Sequence, residues 1–135
     1  MSVSVSIIVP CYNVAAYLDQ CMESLTGQSM KDIEIICVND GSSDCTAEIL
    51  REWRNRDRRV RIIDQKNSGV SAARNSGMAA AAGTYIGFVD PDDMVERNMF
   101  QRLVTAAAEK EADVAVCGYH EFCDCGDMDM PESGW

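Results

Sequence analysis

The stretch Tyr85-Ile86-Gly87-Phe88-Val89-Asp90-Pro91-Asp92-Asp93 decides how the rest of the chain is read. Its apolar opening, with aromatic and β-branched residues, predicts a buried strand. The run stops in three aspartates packed into four positions, with a proline setting the turn. Carboxylates this crowded raise one another's pKa unless a cation sits among them. Hard divalent cations such as Mg²⁺ or Mn²⁺ take oxygen ligands and bridge protein carboxylates to substrate phosphates. A metal–diphosphate site at the carboxyl end of a strand is one reading. An acidic loop capping the next helix is the other.

Outward from this stretch, strands and helices alternate. Val3 to Val9 becomes continuously apolar, as in a buried parallel strand, and Pro10-Cys11-Tyr12-Asn13 stops it. Tyr17, Leu18, Cys21, Met22 and Leu25 then recur at helical spacing, with Asn13 as the expected N-cap. Ile33 to Val38 predicts a second strand, ended by Asn39-Asp40-Gly41-Ser42-Ser43-Asp44. A helix bearing Ile49, Leu50 and Trp53 follows, then a short strand from Val60 to Ile63. Asn67-Ser68-Gly69 leads into a small-residue helix from about Val70, able to lie close to a sheet and stopped by Gly83. After the acidic turn, Val95, Met99, Phe100, Leu103, Val104 and Ala107 form an amphipathic stripe, and Asp113 to Gly118 reads as a fifth strand. The expected organisation is one domain over residues 1–118, followed by an acidic, irregular tail over 119–135.

This alternation predicts an α/β fold with a mostly parallel sheet flanked by helices. Ligands of such sheets bind outside the carboxyl ends of strands. Three polar clusters fall at such ends: Tyr12/Asn13, Asp40, and Asp90 to Asp93. Tyr12 either stacks on a base or packs as a rim aromatic. Asp40 either accepts the N–H of a uracil-like ring or serves as a turn residue before Gly41. Arg74, alone among small residues, suits a phosphate or one of the aspartates. His120, the sole histidine, reads as structural.

Composition narrows the classes. The chain has 135 residues, 47% of them hydrophobic, enough for one domain with a real core. A net charge of -10 leaves no basic stripe for nucleic acid. The basic cluster from Arg51 to Arg61 reads as a solvated helix face, with an anion-binding role as the lesser reading. Seven cysteines, an odd number, do not make a disulfide framework. Cys11, Cys21, Cys37 and Cys117 lie in apolar segments as small hydrophobes, and Cys123-Asp124-Cys125 lacks a second pair at zinc spacing. No signal peptide and no run of membrane length is evident, so the expected location is the cytoplasm, with membrane association open for a longer form. The G-x-G-x-x-G fingerprint, a P-loop and a G-x-S-x-G elbow are all absent from the sequence.

Four motifs occur in order: Ile7-Ile8-Val9-Pro10-Cys11-Tyr12-Asn13; Val38-Asn39-Asp40-Gly41-Ser42-Ser43-Asp44; Asn67-Ser68-Gly69 with Ala73-Arg74-Asn75-Ser76-Gly77; and Phe88-Val89-Asp90-Pro91-Asp92-Asp93. Together they resemble the amino-terminal, nucleotide-sugar-binding half of family 2 glycosyltransferases, from Val3 to about Gly118. The resemblance implies a GT-A (Rossmann-like) fold, here truncated, that binds a nucleotide-diphosphate sugar, usually a UDP-sugar, with Mg²⁺ or Mn²⁺. Pro10, Tyr12, Asn13, Asp40, Gly41, Arg74, Asp90 and Asp93 would form the nucleotide-sugar site. Tyr12 would stack on the base, Asp40 would hydrogen-bond it, and Arg74 would face the phosphates. Asp90 and Asp92 would make the D-x-D metal pair, with Asp92 the direct ligand. Pro91 stands where serine is more usual, which stiffens the turn and removes no carboxylate. The implied reaction is inverting transfer to a glycan or polysaccharide acceptor. The general base normally lies downstream, and Glu121, Asp124, Asp127, Asp129 and Glu132 stand in no recognisable base motif, so donor binding with little transfer is expected. A non-catalytic nucleotide-sugar-binding module and a sugar nucleotidyltransferase are the alternatives. The latter suffers from the missing glycine-rich phosphate loop after the first strand. Self-association through an exposed apolar face stays open.

Overall fold

A computed structural model describes residues 2–121. Eight elements follow one another: β1 (Val5–Cys11), α1 (Ala15–Thr26), β2 (Ile33–Asp40), α2 (Thr46–Arg56), β3 (Val60–Gln65), α3 (Val70–Ala80), β4 (Tyr85–Phe88) and α4 (Met99–Glu109). The strands form one parallel sheet in the order β3-β2-β1-β4. The chain divides into two compact units, Met1–Gln101 and Arg102–Trp135. The sheet and the first three helices belong to the first unit.

The two central strands explain the continuous apolar runs. Every residue of β1 and β2 is buried, because each strand has neighbours on both sides and helices over both faces. Successive side chains point to opposite faces. On β2, Ile36 and Val38 pack with Ala73 of α3, whereas the Cys37 thiol meets the Met22 sulfur of α1 at 3.7 Å. Helix α3 thus covers one face and α1 the other. The small residues of α3 allow the close approach expected of them: a Cβ on Gly77 would stand 2.5 Å from Ile8 Cγ2. The helix ends at Ala80, short of Gly83, which abuts the backbone and hydroxyl of Ser6.

Several expectations are corrected. Strand β4 is an edge and not a buried strand, with Ile86 43% and Phe88 49% exposed. The stripe begun at Val95 becomes helical only at Met99. Gln28, fully buried, holds the intervening backbone: its Nε2 donates to Glu96 O at 2.7 Å and its Oε1 accepts from Phe100 N at 3.2 Å. Asp113 to Gly118 forms no strand, and Val114, Val116 and Cys117 are exposed. Lacking a neighbouring strand, an apolar run has no ladder to join. Cys11, Cys21 and Cys37 are buried free thiols as read, while Cys117 is not. Cys123, Cys125 and the acidic positions from Asp124 onward lie outside the described residues.

The basic cluster also divides. Arg59 pairs with Asp57 and donates to Thr26 O, and Arg61 pairs with Glu34 and donates to Ala80 O. Arg59 and Arg61, past the end of α2, tie segments together, while Arg51, Arg54 and Arg56 on α2 are exposed as a solvated helix face. Glu34 is buried on β2 and accepts three bonds: from Ser6 Oγ at 2.6 Å, Ala82 N at 2.7 Å and Arg61 Nη1 at 2.8 Å. Burial pushes its carboxyl up, but these donors outweigh it and hold it below the ordinary value of 4.5. Among the described residues, no helix is long and apolar enough to cross a membrane.

Candidate functional site

All four strands are parallel, so their carboxyl ends share one edge. The order β3-β2-β1-β4 reverses direction at β1, which makes the β1/β4 boundary a topological switch point. Pro10 helps open it. Ile8 O accepts from Val89 N at 3.1 Å, so the next donor toward β4 along β1 would come from residue 10, and proline has none. Pairing of β1 with β2 continues to Cys11↔Asn39, while pairing with β4 stops at Ile8↔Phe88.

Beside this split lies a cleft of about 300 Å³ lined by Pro10, Cys11, Tyr12, Asp40, Asn67, Gly69, Val70 and Ala73. Tyr12 is 52% exposed, so it is a cleft aromatic and not a core one. Asn13 does not cap α1, whose N-cap is Val14 without a side-chain bond. Instead Asn13 adopts φ 49° and reaches the β2–α2 turn. Its Oδ1 accepts from Ser43 N at 2.8 Å and Asp44 N at 3.3 Å, and its own N–H donates to Ser42 Oγ at 3.1 Å. The clamp is reciprocal. Thr46 Oγ1 accepts from Val14 N, and the Asp44 carboxylate accepts from both Ala15 N and Thr46 N, serving the starts of two helices. The Thr46 bonds come first among the causes that keep the Asp44 carboxyl below its usual value.

Asp40 ends β2 almost fully buried. Gln65 Nε2 donates to its Oδ1 at 2.9 Å, Ser68 N to the same oxygen at 2.8 Å, and Gly69 N to Oδ2 at 3.0 Å. The Gln65 bond leads the effects that hold this carboxyl low, against a smaller opposing push from burial. Gly41 turns the chain at φ 72°, where a Cβ would stand 2.7 Å from Asn67 N. Its part is thus to let the β2–α2 turn and the β3–α3 loop touch.

The acidic turn stands across the end of β1. With β2 and β4 flanking β1, about 10 Å separates the lines of Asp40 and Asp90 by strand spacing. Asp93 N donates to Asp90 O at 3.0 Å, closing a turn whose second residue is the buried Pro91. Five residues separate Asp93 from the start of α4, so this turn does not cap the helix. Asp90 Oδ1 is 3.1 Å from Arg74 Nη2, and the Cys21 thiol lies 3.7 Å from Asp90 O. Burial, then the charges of Asp92 and Asp90, push the Asp93 carboxyl up. Burial, then Cys11, then the three aspartates push the Cys21 thiol to about 12.

The structure therefore gathers Pro10, Tyr12, Asp40 and the Asn13 and Gly41 turns about the ends of β1 and β2, and Asp90, Asp92 and Asp93 beyond the end of β4. Arg74 follows Ala73, a cleft residue, and its ion pair joins the two groups. Gln65, Asn67 and Val70 add to the site beyond the residues that the sequence singles out. The signal for Gln65 was its place as a polar residue at the end of a strand. Among the described residues, no cluster of three or more His, Cys, Asp or Glu side chains forms a ready metal cage.

Comparison with known proteins places this geometry in a family. The profile of Glycosyl transferase family 2 matches residues 6–134. The chain is 51% identical over 117 residues to the uncharacterized glycosyltransferase EpsJ of Bacillus subtilis (strain 168), covering 87% of this chain and 34% of that protein. It is 44% identical over 118 residues to the glycosyltransferase GlyA of Streptococcus pneumoniae, covering 87% and 17% respectively. The chain thus spans about a third or less of these relatives. Residues 1–349 of S. aureus TarS, solved in complex with UDP, superpose with a TM-score of 0.74 at 28% identity, covering 80% of this chain and 33% of that one. The chain belongs to glycosyl transferase family 2, and its parallel sheet is that of a GT-A fold.

Proposed function

We propose that this domain binds the donor of a glycosyl transfer reaction, a nucleotide-diphosphate sugar, with UDP-sugar as the preferred class. The observation that carries this reading is the division of the site about β1. An exposed aromatic and a buried carboxylate line a cleft on one side, and an acidic turn with an arginine stands about 10 Å away by strand spacing. That span suits a nucleoside whose base lies on Tyr12 and whose diphosphate extends toward Arg74. The UDP bound to the TarS relative supports the base class.

The acidic turn fits a divalent cation that takes only part of its shell from protein. Asp92 is exposed, burial and then the charges of Asp92 and Asp90 raise the Asp93 carboxyl, and Arg74 pairs with Asp90. Two carboxylates, Asp92 and Asp90, would hold Mg²⁺ or Mn²⁺, with substrate phosphates and water completing the coordination. The cation would supply charge stabilisation for the departing diphosphate. Arg74 offers a second positive group to the same oxygens once it parts from Asp90. An acceptor hydroxyl of a glycan or polysaccharide would attack the anomeric carbon from the face opposite the diphosphate, giving up its proton to a carboxylate base while the bond to the diphosphate breaks, giving inversion. The cytoplasm, where nucleotide sugars are made, is the proposed location.

Calorimetric titration of UDP tests the reading, with Mn²⁺ and then EDTA, on wild type and Asp92→Ala. Binding that needs the metal and is lost in Asp92→Ala is the expected result. A folded wild type that ignores UDP, GDP, CDP and dTDP with metal present would sink the proposal.

A further inference from the structure

We propose that Gln65 determines which base the cleft accepts, by holding the Asp40 carboxylate so that one acceptor position remains open to a ring N–H. The inference rests on the donor reading above. Asp40 and Gln65 are paired across the ends of β2 and β3, and Asp40 lines the cleft. A carboxylate offers about four lone-pair positions. Gln65 Nε2 and Ser68 N occupy both on Oδ1, and Gly69 N occupies one on Oδ2. The remaining position belongs to Oδ2.

Gln65 is itself held. The Ser76 hydroxyl on α3 donates to Gln65 Oε1 at 2.6 Å, which turns the amide NH₂ toward Asp40. The opposite orientation would put the amide oxygen against a carboxylate. The chain Ser76, Gln65, Asp40 therefore keeps Asp40 ionised and fixed in rotation. Released, the carboxylate could rotate or take up a proton, and a protonated Asp40 would donate as well as accept.

The chemistry of the bases makes the consequence specific. Uracil and thymine present a ring N–H between two carbonyls, and guanine also presents a ring N–H. Cytosine presents a bare ring nitrogen at the corresponding place, which meets a carboxylate lone pair with repulsion. A fixed, acceptor-only Asp40 favours the first group and rejects cytosine. A site with unpaired buried polar groups discriminates more sharply than an apolar pocket. Gln65 is thus a positioning residue whose effect is read in selectivity.

The test is a calorimetric panel of UDP, dTDP, GDP and CDP with Mn²⁺ on wild type, Gln65→Ala, Ser76→Ala and Ser76→Thr, with thermal melts alongside. Wild type should favour UDP over CDP. Gln65→Ala should lower that ratio by about tenfold, the worth of one charge-assisted bond, in a protein that still melts cooperatively. Ser76→Ala should lower it less, and Ser76→Thr, which keeps the hydroxyl, should restore it. Should Gln65→Ala fail to fold, the two Ser76 variants carry the test. A UDP-to-CDP ratio that stays at the wild-type value in folded variants overturns the inference alone, even if overall affinity falls. A wild type that binds none of the four overturns the donor reading as well.

Discussion

Glu34→Ala should cost far more stability than an ion pair with a half-exposed arginine suggests. Glu34 joins three strands and the α3–β4 link, because its carboxylate takes Ser6 of β1, Arg61 of β3 and the N–H of Ala82. Truncation leaves the buried Ser6 hydroxyl without this acceptor, worth about 1–3 kcal/mol when unsatisfied, and costs the exposed Ala82 N–H a bond of about 1 kcal/mol net. Arg61 can turn to solvent, so its share is small. Ser6 Oγ still accepts from Gly83 N but its own proton loses its acceptor, so the sum is about 3 kcal/mol. For a domain of this size that corresponds to a fall of about 10 °C in Tm. Glu34→Gln retains an acceptor for Ser6 and Ala82 and should lose about 1 kcal/mol.

The pH dependence gives the sharper measurement. The folded carboxyl is held below its ordinary 4.5, so its stabilisation is complete above that value and is lost as pH falls through the folded pKa. Urea denaturation from pH 7 to 3 should therefore show the gap between wild type and Glu34→Gln closing below about pH 4.5. A gap that stays constant or widens in acid would refute the assignment. So would a loss under about 1 kcal/mol in Glu34→Ala. Because Glu34 sits at the amino end of the sheet, UDP affinity at pH 7 should be unchanged in any folded variant.

Three further substitutions separate support from ligand contact. Gly41→Ala forces a side chain into a left-handed backbone and to within 2.7 Å of Asn67 N, so the urea midpoint should fall by the equivalent of about 2 kcal/mol. Arg74→Ala removes a pair exposed on both sides and should move Tm by less than about 3 °C, while weakening UDP binding at least about tenfold. Tyr12→Ala should weaken UDP binding by about 1–3 kcal/mol, the worth of a stacked base, and Tyr12→Phe should leave titration curves close to wild type.

Periodicity carried the fold class because burial leaves a direct trace in residue type. The unbroken apolar runs of β1 and β2 and the small residues facing Ile8 on α3 could be read before any contact was known. So could the convergence of Tyr12, Asp40 and Asp90 on one edge, since parallel strands share their carboxyl ends. The misreadings concern interactions between segments distant in sequence. Asn13 looks like an N-cap locally, yet its amide goes to the turn thirty residues on, where Ser43 and Asp44 offer N–H groups. Asp113 to Gly118 has strand-forming residues, but a strand exists only by pairing, and pairing is not a local property.

Residue order alone dictates an alternating α/β chain, its acidic turn and the residue types gathered at the strand ends. How many donors each of those residues meets depends on the packing of the folded chain. Asp40 and Asp90 are the same residue type at equivalent strand ends, yet Asp40 is buried under three donors and Asp90 is exposed against one arginine. Hydrogen-bond saturation depends on which loops meet, and the meeting of the β2–α2 turn with the β3–α3 loop is set by strand order and by the space left at Gly41.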